Sequence, residues 1–427
     1  MKKVFLNFSL VILALQGELL LSACGENPVD PGSDTRVVYM LPETQPMELT
    51  DDQKSMVQKN NDFAFNLFRT INEQDAEKQS NSLSPISVTF MMGMLNDGAA
   101  GNTSKEITSM LGFGERDAKT INEFCKTMIE GLPNTDTSIK LDISNYIATN
   151  SYKNVVLESQ FEKNMKDYYH AETASLDFSK SDAVKTINNW CYTKTDGKIW
   201  RILDELDSQA LLVLLNIVNY KAGWVEKFDN NKTLIEDFTL DNGKKQSLPM
   251  MHQKGYIKCY GNDTYTALLL PYGGNEPKWH MAVLLPDEGK TIEDVLANLT
   301  AESWNKCLSE MYPLTVDIKI PRFSVESKND LGPAIAKLGA PSIFNPEVAD
   351  FSKMSNYSNL YVGVLKQNTA IEVDESGTEL VAVTMAGMTG ANVLGKQDLD
   401  FHCNRPFVYV IYEASSGTVF FIGTFRG

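Results

Sequence analysis

One segment limits the folds open to this 427-residue chain more than any other. From Glu372 to Phe407 it reads EVDESGTELVAVTMAGMTGANVLGKQDLDFHCNRPF. It continues an apolar strand-like run, Leu360–Val373, and closes on a proline and another apolar strand. The middle is too apolar for an ordinary surface loop, and too rich in Gly, Thr and Met for a stable helix. Its alternation is that of a strand. Thr378, Leu380, Ala382, Thr384 and Ala386 share one parity, and Glu379, Val381, Val383 and Met385 the other. Glu379 must face water in any strand, so the Thr378 set would face a core. The segment is either a permanent strand plus a loop, or an exposed loop able to add itself to a sheet. The pattern fits both.

The rest of the chain supplies a large mixed core. Asp51 to Asn72 carries Met56, Phe63, Leu67 and Ile71 at helical spacing, and Thr103–Leu111 and Ala183–Cys191 read as further helices. From about residue 210 the sequence becomes strand-like. Leu211–Asn219 and Met281–Leu285 are continuous apolar runs that need cover on both faces. Val316, Ile318 and Ile320 alternate with polar neighbours, and Phe407–Tyr412 and Thr418–Ile422 flank a turn at Ala414-Ser415-Ser416-Gly417. No long linker or repeat interrupts residues 51–427. The expectation is therefore one large α+β domain with an extensive sheet. With 39 Lys and Arg against 55 Asp and Glu, the net charge of −16 excludes nucleic acid as a partner.

The N-terminus, MKKVFLNFSLVILALQGELLLSAC, has a basic start, an apolar run and small residues, the order of an export signal. Leu21-Ser22-Ala23-Cys24 resembles a bacterial lipobox. That resemblance implies a lipoprotein signal over residues 1–23, lipidation at Cys24 and an exported chain anchored in a bacterial outer membrane, at the cell surface or periplasmic face. Residues 24–50, rich in Gly, Pro, Asn and Asp at the start, read as a flexible tether. The remaining cysteines, at 125, 191, 259, 307 and 403, show no CxxC spacing and read as buried apolar groups.

Catalytic and metal motifs are not apparent. The four histidines, 170, 252, 280 and 402, form no HExxH pair, and no GxSxG, GxGxxG or GxxxxGK[ST] occurs. The sequence thus gives no reason to expect an enzyme, a metal, a cofactor or a small-molecule substrate.

A chain of short motifs then carries a resemblance to the serpins, inhibitors of serine and sometimes cysteine proteases. Asn81-Ser82-Leu83-Ser84-Pro85-Ile86-Ser87 resembles the family's shutter segment, and Asn216-Ile217-Val218-Asn219-Tyr220-Lys221-Ala222-Gly223-Trp224 its most recognisable internal motif. Leu269-Leu270-Pro271-Tyr272, Ile320-Pro321-Arg322-Phe323, Arg405-Pro406-Phe407 and Phe420-Phe421-Ile422-Gly423 follow in the family's order. The resemblance implies three β-sheets, eight to nine helices and an exposed reactive-centre loop. It further implies a monomer with no catalytic residue, whose loop is cleaved by a target serine protease and inserts into the main sheet with the protease still attached as an acyl-enzyme. The alternative within the family is a non-inhibitory binding or scaffold protein.

The hinge expected from this likeness is Glu375-Ser376-Gly377-Thr378-Glu379, continuing through Leu380, Val381, Ala382, Val383 and Thr384. The family usually has Ala, Gly or Ser after the first hinge residues. Leu380 therefore adds bulk on the inward parity, at a cost of about 1–3 kcal/mol in a tight site. Ser84, Pro85, Asn216 and Trp224 take structural shutter and breach positions. Gln367 stands where many animal relatives have histidine, and its amide can bridge a donor and an acceptor. The family's usual spacing from the hinge puts the scissile bond at Ala391–Asn392, which suits an elastase-like or subtilisin-like enzyme. Counting back from Pro406 lands near Gly395–Lys396, where a cut after Lys396 would suit a trypsin-like one, and Met388 is a further cleavage point.

Overall fold

The computed structural model describes residues 44–197, 199–274, 276–378 and 399–427. Nine α-helices occur among them: α1 (Asp51–Gln74), α2 (Pro85–Gly98), α3 (Gly101–Met110), α4 (Ala118–Gly131), α5 (Ser159–Tyr169), α6 (Ser181–Lys194), α7 (Ile292–Asn298), α8 (Ala301–Glu310) and α9 (Gly332–Lys337). The strands are β1 (Asn81–Leu83), β2 (Lys140–Asn150), β3 (Glu172–Leu176), β4 (Leu212–Gly223), β5 (Leu234–Thr239), β6 (Lys245–Gly261), β7 (Tyr265–Tyr272), β8 (Trp279–Pro286), β9 (Tyr312–Pro321), β10 (Phe323–Asp330), β11 (Val364–Asp374), β12 (Gly377–Thr378), β13 (Leu399–His402), β14 (Phe407–Glu413) and β15 (Thr418–Phe425).

Local chemistry accounts for the main helices. Thr50 caps α1 and Gln53 returns the bond, a reciprocal box that satisfies two backbone N–H groups. The Met56, Phe63, Leu67 and Ile71 face of α1 is buried as its periodicity predicts. Helix α2 starts on Pro85, where a missing N–H costs nothing, and every residue in it is buried. It therefore lies inside the molecule, not on its surface.

Hydrogen bonding joins the strands into two sheets. The six-stranded sheet has the order β10-β11-β12-β4-β2-β3, with β11 and β4 also paired directly. The nine-stranded sheet runs β1-β15-β14-β8-β7-β6-β9-β13, with β5 on β6. Its two halves are continuous because β6, 17 residues long, ladders with β5, β9 and β7 in turn. The apolar runs at β4, β8, β14 and β15 are buried almost throughout.

Two readings of the chain differ from the structure. Helices and strands do not divide at residue 210, because β2 and β3 precede it and α7, α8 and α9 follow it. In β2 the buried polar residues Asn145 and Asn150 obscure the apolar pattern, and both are kept inside by side-chain bonds to backbone carbonyls. The strand expected from Leu360 starts at Val364. Leu360 and Val362 are buried, but the Val362 N–H donates to the Ile343 carbonyl (2.9 Å) instead of entering the ladder. The five described cysteines are all buried and free. No helix among the described residues is long and apolar enough to cross a membrane.

Close packing leaves no room for a side chain at Gly423 in β15. A Cβ there would collide with the Tyr409 ring and lie 2.8 Å from the Asn81 carbonyl oxygen. Gly423→Ala should destabilise the fold by about 1–3 kcal/mol through overpacking. A lowered guanidinium unfolding midpoint checks this, and an unchanged midpoint would refute it.

Candidate functional site

The site is the place where the six-stranded sheet is parted. At one end β11 runs parallel to β4, with Val364, Leu365 and Lys366 beside Val213, Leu214 and Leu215. At the other end β12 lies between them, antiparallel to both. Thr378 pairs with Val373 on one side and Ala222 on the other, and Gly377 with Asp374 and Gly223. Between these ends, among the described residues, no ladder pairing joins 216–221 to 367–372.

The chain enters this position through a tight turn. Asp374 accepts from the backbone N–H groups of Ser376 (2.7 Å) and Gly377 (3.2 Å), fixing a two-residue hairpin loop. Gly377 sits at φ +149°, and a Cβ would collide with the Ala222 carbonyl oxygen and lie 2.7 Å from Gly223 Cα. Only glycine fits that approach. Glu375 is buried and forms an ion pair with Arg322 (2.6 Å) while accepting from Thr233 Oγ1 (2.6 Å). Burial works against its charge, but the bonds from Arg322 and Thr233 outweigh it and hold the carboxyl below its ordinary range.

Trp224 closes the top of the sheet. Its ring stacks on Tyr272 at 4.3 Å, and its Nε1 donates to the Asp374 carbonyl (2.9 Å). Its backbone N–H donates to Ser376, and that of Phe228 to Glu375 (both 2.9 Å). Thr378 is buried and shares a hydroxyl–hydroxyl bond with Tyr272. Burial pushes the Tyr272 phenol well up, so it stays protonated.

Below the parting lies a buried polar layer. Gln367 Oε1 accepts from the Ser84 N–H (2.8 Å), and its Nε2 donates to the Ser84 carbonyl (2.9 Å). Ser84 also bonds Ser87 (2.9 Å), next to Pro85 at the start of α2. Ser82 bonds Ser327 and Thr369. Asn216 Nδ2 donates to Asn145 (2.8 Å), which donates onward to the Tyr169 carbonyl. Asn216 Oδ1 and Asn368 Nδ2 are buried without a partner among the described residues. His280, the histidine in β8, stacks on Tyr412, and burial with Lys258 nearby lowers its pKa to about 4, so it is neutral.

Of the residues singled out in the sequence, the structure brings Glu375, Ser376, Gly377, Thr378 and Trp224 together at the top, and Ser84, Pro85 and Gln367 in the layer below, with Asn216 on β4. Glu379, Leu380, Val381, Ala382, Val383, Thr384, Met388, Ala391, Asn392, Gly395, Lys396 and Cys24 lie outside the described residues. Arg322, Thr233 and Tyr272 went unassigned in the sequence reading. Arg322 and Tyr272 sit in quoted motifs, but nothing local shows that they meet Glu375 and Thr378.

Comparison with known proteins agrees along most of the chain. The family model described as serpin (serine protease inhibitor) matches residues 58–426. Iripin-8 of Ixodes ricinus is 30% identical over 390 residues, covering 88% of this chain and 94% of the relative. The leukocyte elastase inhibitor of Homo sapiens is 29% identical, covering 86% and 97%. Among solved structures, the native state of the thermophilic serpin tengpin aligns with a TM-score of 0.80 at 26% identity, covering 91% of this chain and 97% of that one. Human thyroxine-binding globulin with its hormone also aligns at 0.80, with 27% identity and coverage of 87% and 98%.

Two outcomes follow from this geometry. Gln367→Ala would orphan the buried Ser84 N–H, while the Ser84 carbonyl keeps the Val88 N–H (3.3 Å), and should cost about 1–3 kcal/mol in the denaturant midpoint. The Glu375–Arg322 pair contributes fully above the free glutamate value of about 4.3 and is lost as pH falls through the depressed folded value. Trp224 emission, isolated by difference from Trp224→Phe, should report that acid transition. Arg322→Gln should move it to higher pH, because the bond from Thr233 is then left to offset burial without the guanidinium. An unmoved transition would remove Glu375 as the anchor.

Proposed function

The chain belongs to the serpin family, and we propose that it inhibits serine proteases by suicide trapping, with the segment after Thr378 inserting between β4 and β11. The observation that carries this is the parted sheet with Gly377–Thr378 already seated in it. Extending that register sets Glu379 beside Lys221 and Glu372, Leu380 beside Tyr220 and Ile371, and Thr384 beside Asn216 and Gln367. Each step gives the incoming backbone a partner strand on both edges, the strongest form of strand addition. The orphan polar atoms of Asn216 and Asn368 mark the layer that this strand would cross.

The same register bears on the cut. Gly377 and Thr378 already face the last two of the 12 residues of β4, so insertion along the rest would carry the cleaved end about 33 Å at roughly 3.3 Å per residue. Continued residue by residue, Met388 would fall opposite Leu212, the first residue of β4. A bond at Ala391–Asn392 leaves chain beyond that strand end, enough to carry an attached protease past it. A cut at Gly395–Lys396 leaves more slack and a weaker pull. We therefore favour Ala391 and an elastase-like or subtilisin-like target, in keeping with the elastase inhibitor among the relatives. The lipobox-like Leu21-Ser22-Ala23-Cys24 supports a lipid-anchored, exported bacterial protein that acts as a monomer at the membrane surface.

The test is to mix the purified protein with an elastase, a subtilisin and a trypsin. A denaturant-stable adduct is expected, with the released fragment beginning at Asn392 by intact mass. Thr378→Arg would force a cation beside Tyr272 in a buried site. It should leave cleavage intact and cut adduct yield at least about tenfold, since a tenfold change in partitioning needs only about 1.4 kcal/mol. Clean cleavage with no adduct across a wide protease panel would overturn the inhibitor reading in favour of a binding role.

A further inference from the structure

The nine-stranded sheet ends in β13, four residues whose ladder is a parallel pairing with β9. In that register Asp400 stands directly opposite Asp317, and His402 opposite Lys319. On the other side of β9, His252 of β6 also stands opposite Lys319. The two aspartates and two histidines therefore share one face. His252 Nε2 lies 2.5 Å from Asp317 Oδ1, and His402 Nε2 lies 3.3 Å from Asp317 Oδ2. Ligand atoms of Asp317, Asp400 and His402 all fall within 4.8 Å of one another.

Like charges placed directly opposite across a ladder destabilise it, and a bound cation would offset the pairing of Asp400 against Asp317. Lys254, Lys258 and Lys319 share this face, the first and last of them beside the cluster. Lys319 is turned away to β5, with Nζ 2.8 Å from both oxygens of Glu236. Lys254 stands opposite Asp317, is exposed, and is the cation with which an ion would compete. The cluster can be reached from solvent, because Asp400 and His402 line a cleft of about 160 Å³ together with Asp287 and Arg405.

We propose that His252, Asp317, Asp400 and His402 form a binding site for a divalent first-row transition ion, zinc by preference, which ties β13 to β9 and β6. Two imidazoles with two carboxylates suit zinc's tetrahedral N/O coordination at 2.0–2.2 Å, and select against calcium and magnesium, which take oxygen. Asp317, Asp400 and His402 already lie within 4.8 Å of one another, and His252 would join them by swinging in from its bond to Asp317 Oδ1. Sequence spacing could not show the site, since no two of its histidines are close in the chain and its ligands come from three strands. β13 follows directly on the segment 379–398, so the ion would fix the strand from which that segment departs. The site itself is independent of protease inhibition.

The experiment is calorimetric titration of the purified protein with zinc chloride, backed by the absorption spectrum of the cobalt(II) form. One ion per chain is expected, with a higher thermal midpoint, and magnesium or calcium in excess should not displace it. The cobalt spectrum should show tetrahedral nitrogen and oxygen ligation without a thiolate charge-transfer band. His402→Gln and His252→Gln should each weaken zinc at least about tenfold, whereas His170→Gln, at an exposed pair with Glu130, should not. Absence of zinc binding at about 100 μM, a thiolate band, or affinity unchanged in the His252 and His402 variants would overturn the proposal. The cobalt spectrum of the unaltered protein keeps the test decisive if a variant fails to fold.

Discussion

The two central strands of the six-stranded sheet pair with each other over three residues at one end and embrace a two-residue strand at the other. Everything around the site serves to hold that arrangement. Glu375, buried against Arg322 and Thr233, anchors the turn from one side, and Trp224 bonds Asp374 and Ser376 from the other. Gly377 lets the backbone come against Ala222 at a distance no side chain tolerates. The turn is thus held by charge, aromatic packing and backbone geometry together, which is what seats Gly377 and Thr378 between the two longer strands.

The polar layer beneath has a different role. An apolar filling between α2 and the sheet would hold the two together without directional bonds to specify which residues meet. Here Gln367 grips both backbone groups of Ser84, and Ser82 meets Ser327 and Thr369. Such bonds are directional, so they specify where β11 and α2 meet, and small hydroxyls can exchange partners if strands slide. Gln367 provides this without a titrating group, so the contact keeps the same form across the physiological pH range.

Local pattern made part of this legible. The C-terminal strands, the helix over Asp51–Gln74 and the inward parity of Thr378 follow from periodicity in consecutive residues. Glycine at 377 follows from turn chemistry. The serpin likeness supplied the order of the motifs and the place of Gln367, which periodicity alone would have left as one more polar residue in a strand. Contacts made by folding across the chain were not legible. Nothing near Arg322 marks it as the partner of Glu375, and nothing near Tyr272 points to Thr378. β2 was hidden because its asparagines are buried through bonds to Tyr169 and Ala210 carbonyls, partners that sequence does not display. The joining of two sheets through β6 was hidden for the same reason, since a strand's length does not reveal which strands it pairs with.

Leu380 is the one hinge residue that argues against easy insertion, and the register allows the two effects to be weighed. It would sit inward between Tyr220 and Ile371, both already buried, where added bulk costs about 1–3 kcal/mol. Against that, residues 379–384 would gain ladder bonds along two edges, each contributing about 0.5–1.5 kcal/mol net. They would also cover the buried polar atoms of Asn216 and Asn368, which have no partner among the described residues. Several such bonds outweigh one crowded side chain. The steric cost falls early, two residues beyond Thr378, before most of the new bonds exist. Under the proposed insertion, Leu380 would therefore act on the barrier more than on the end point, keeping an intact chain from drifting into the inserted form while leaving a cleaved one free to complete it.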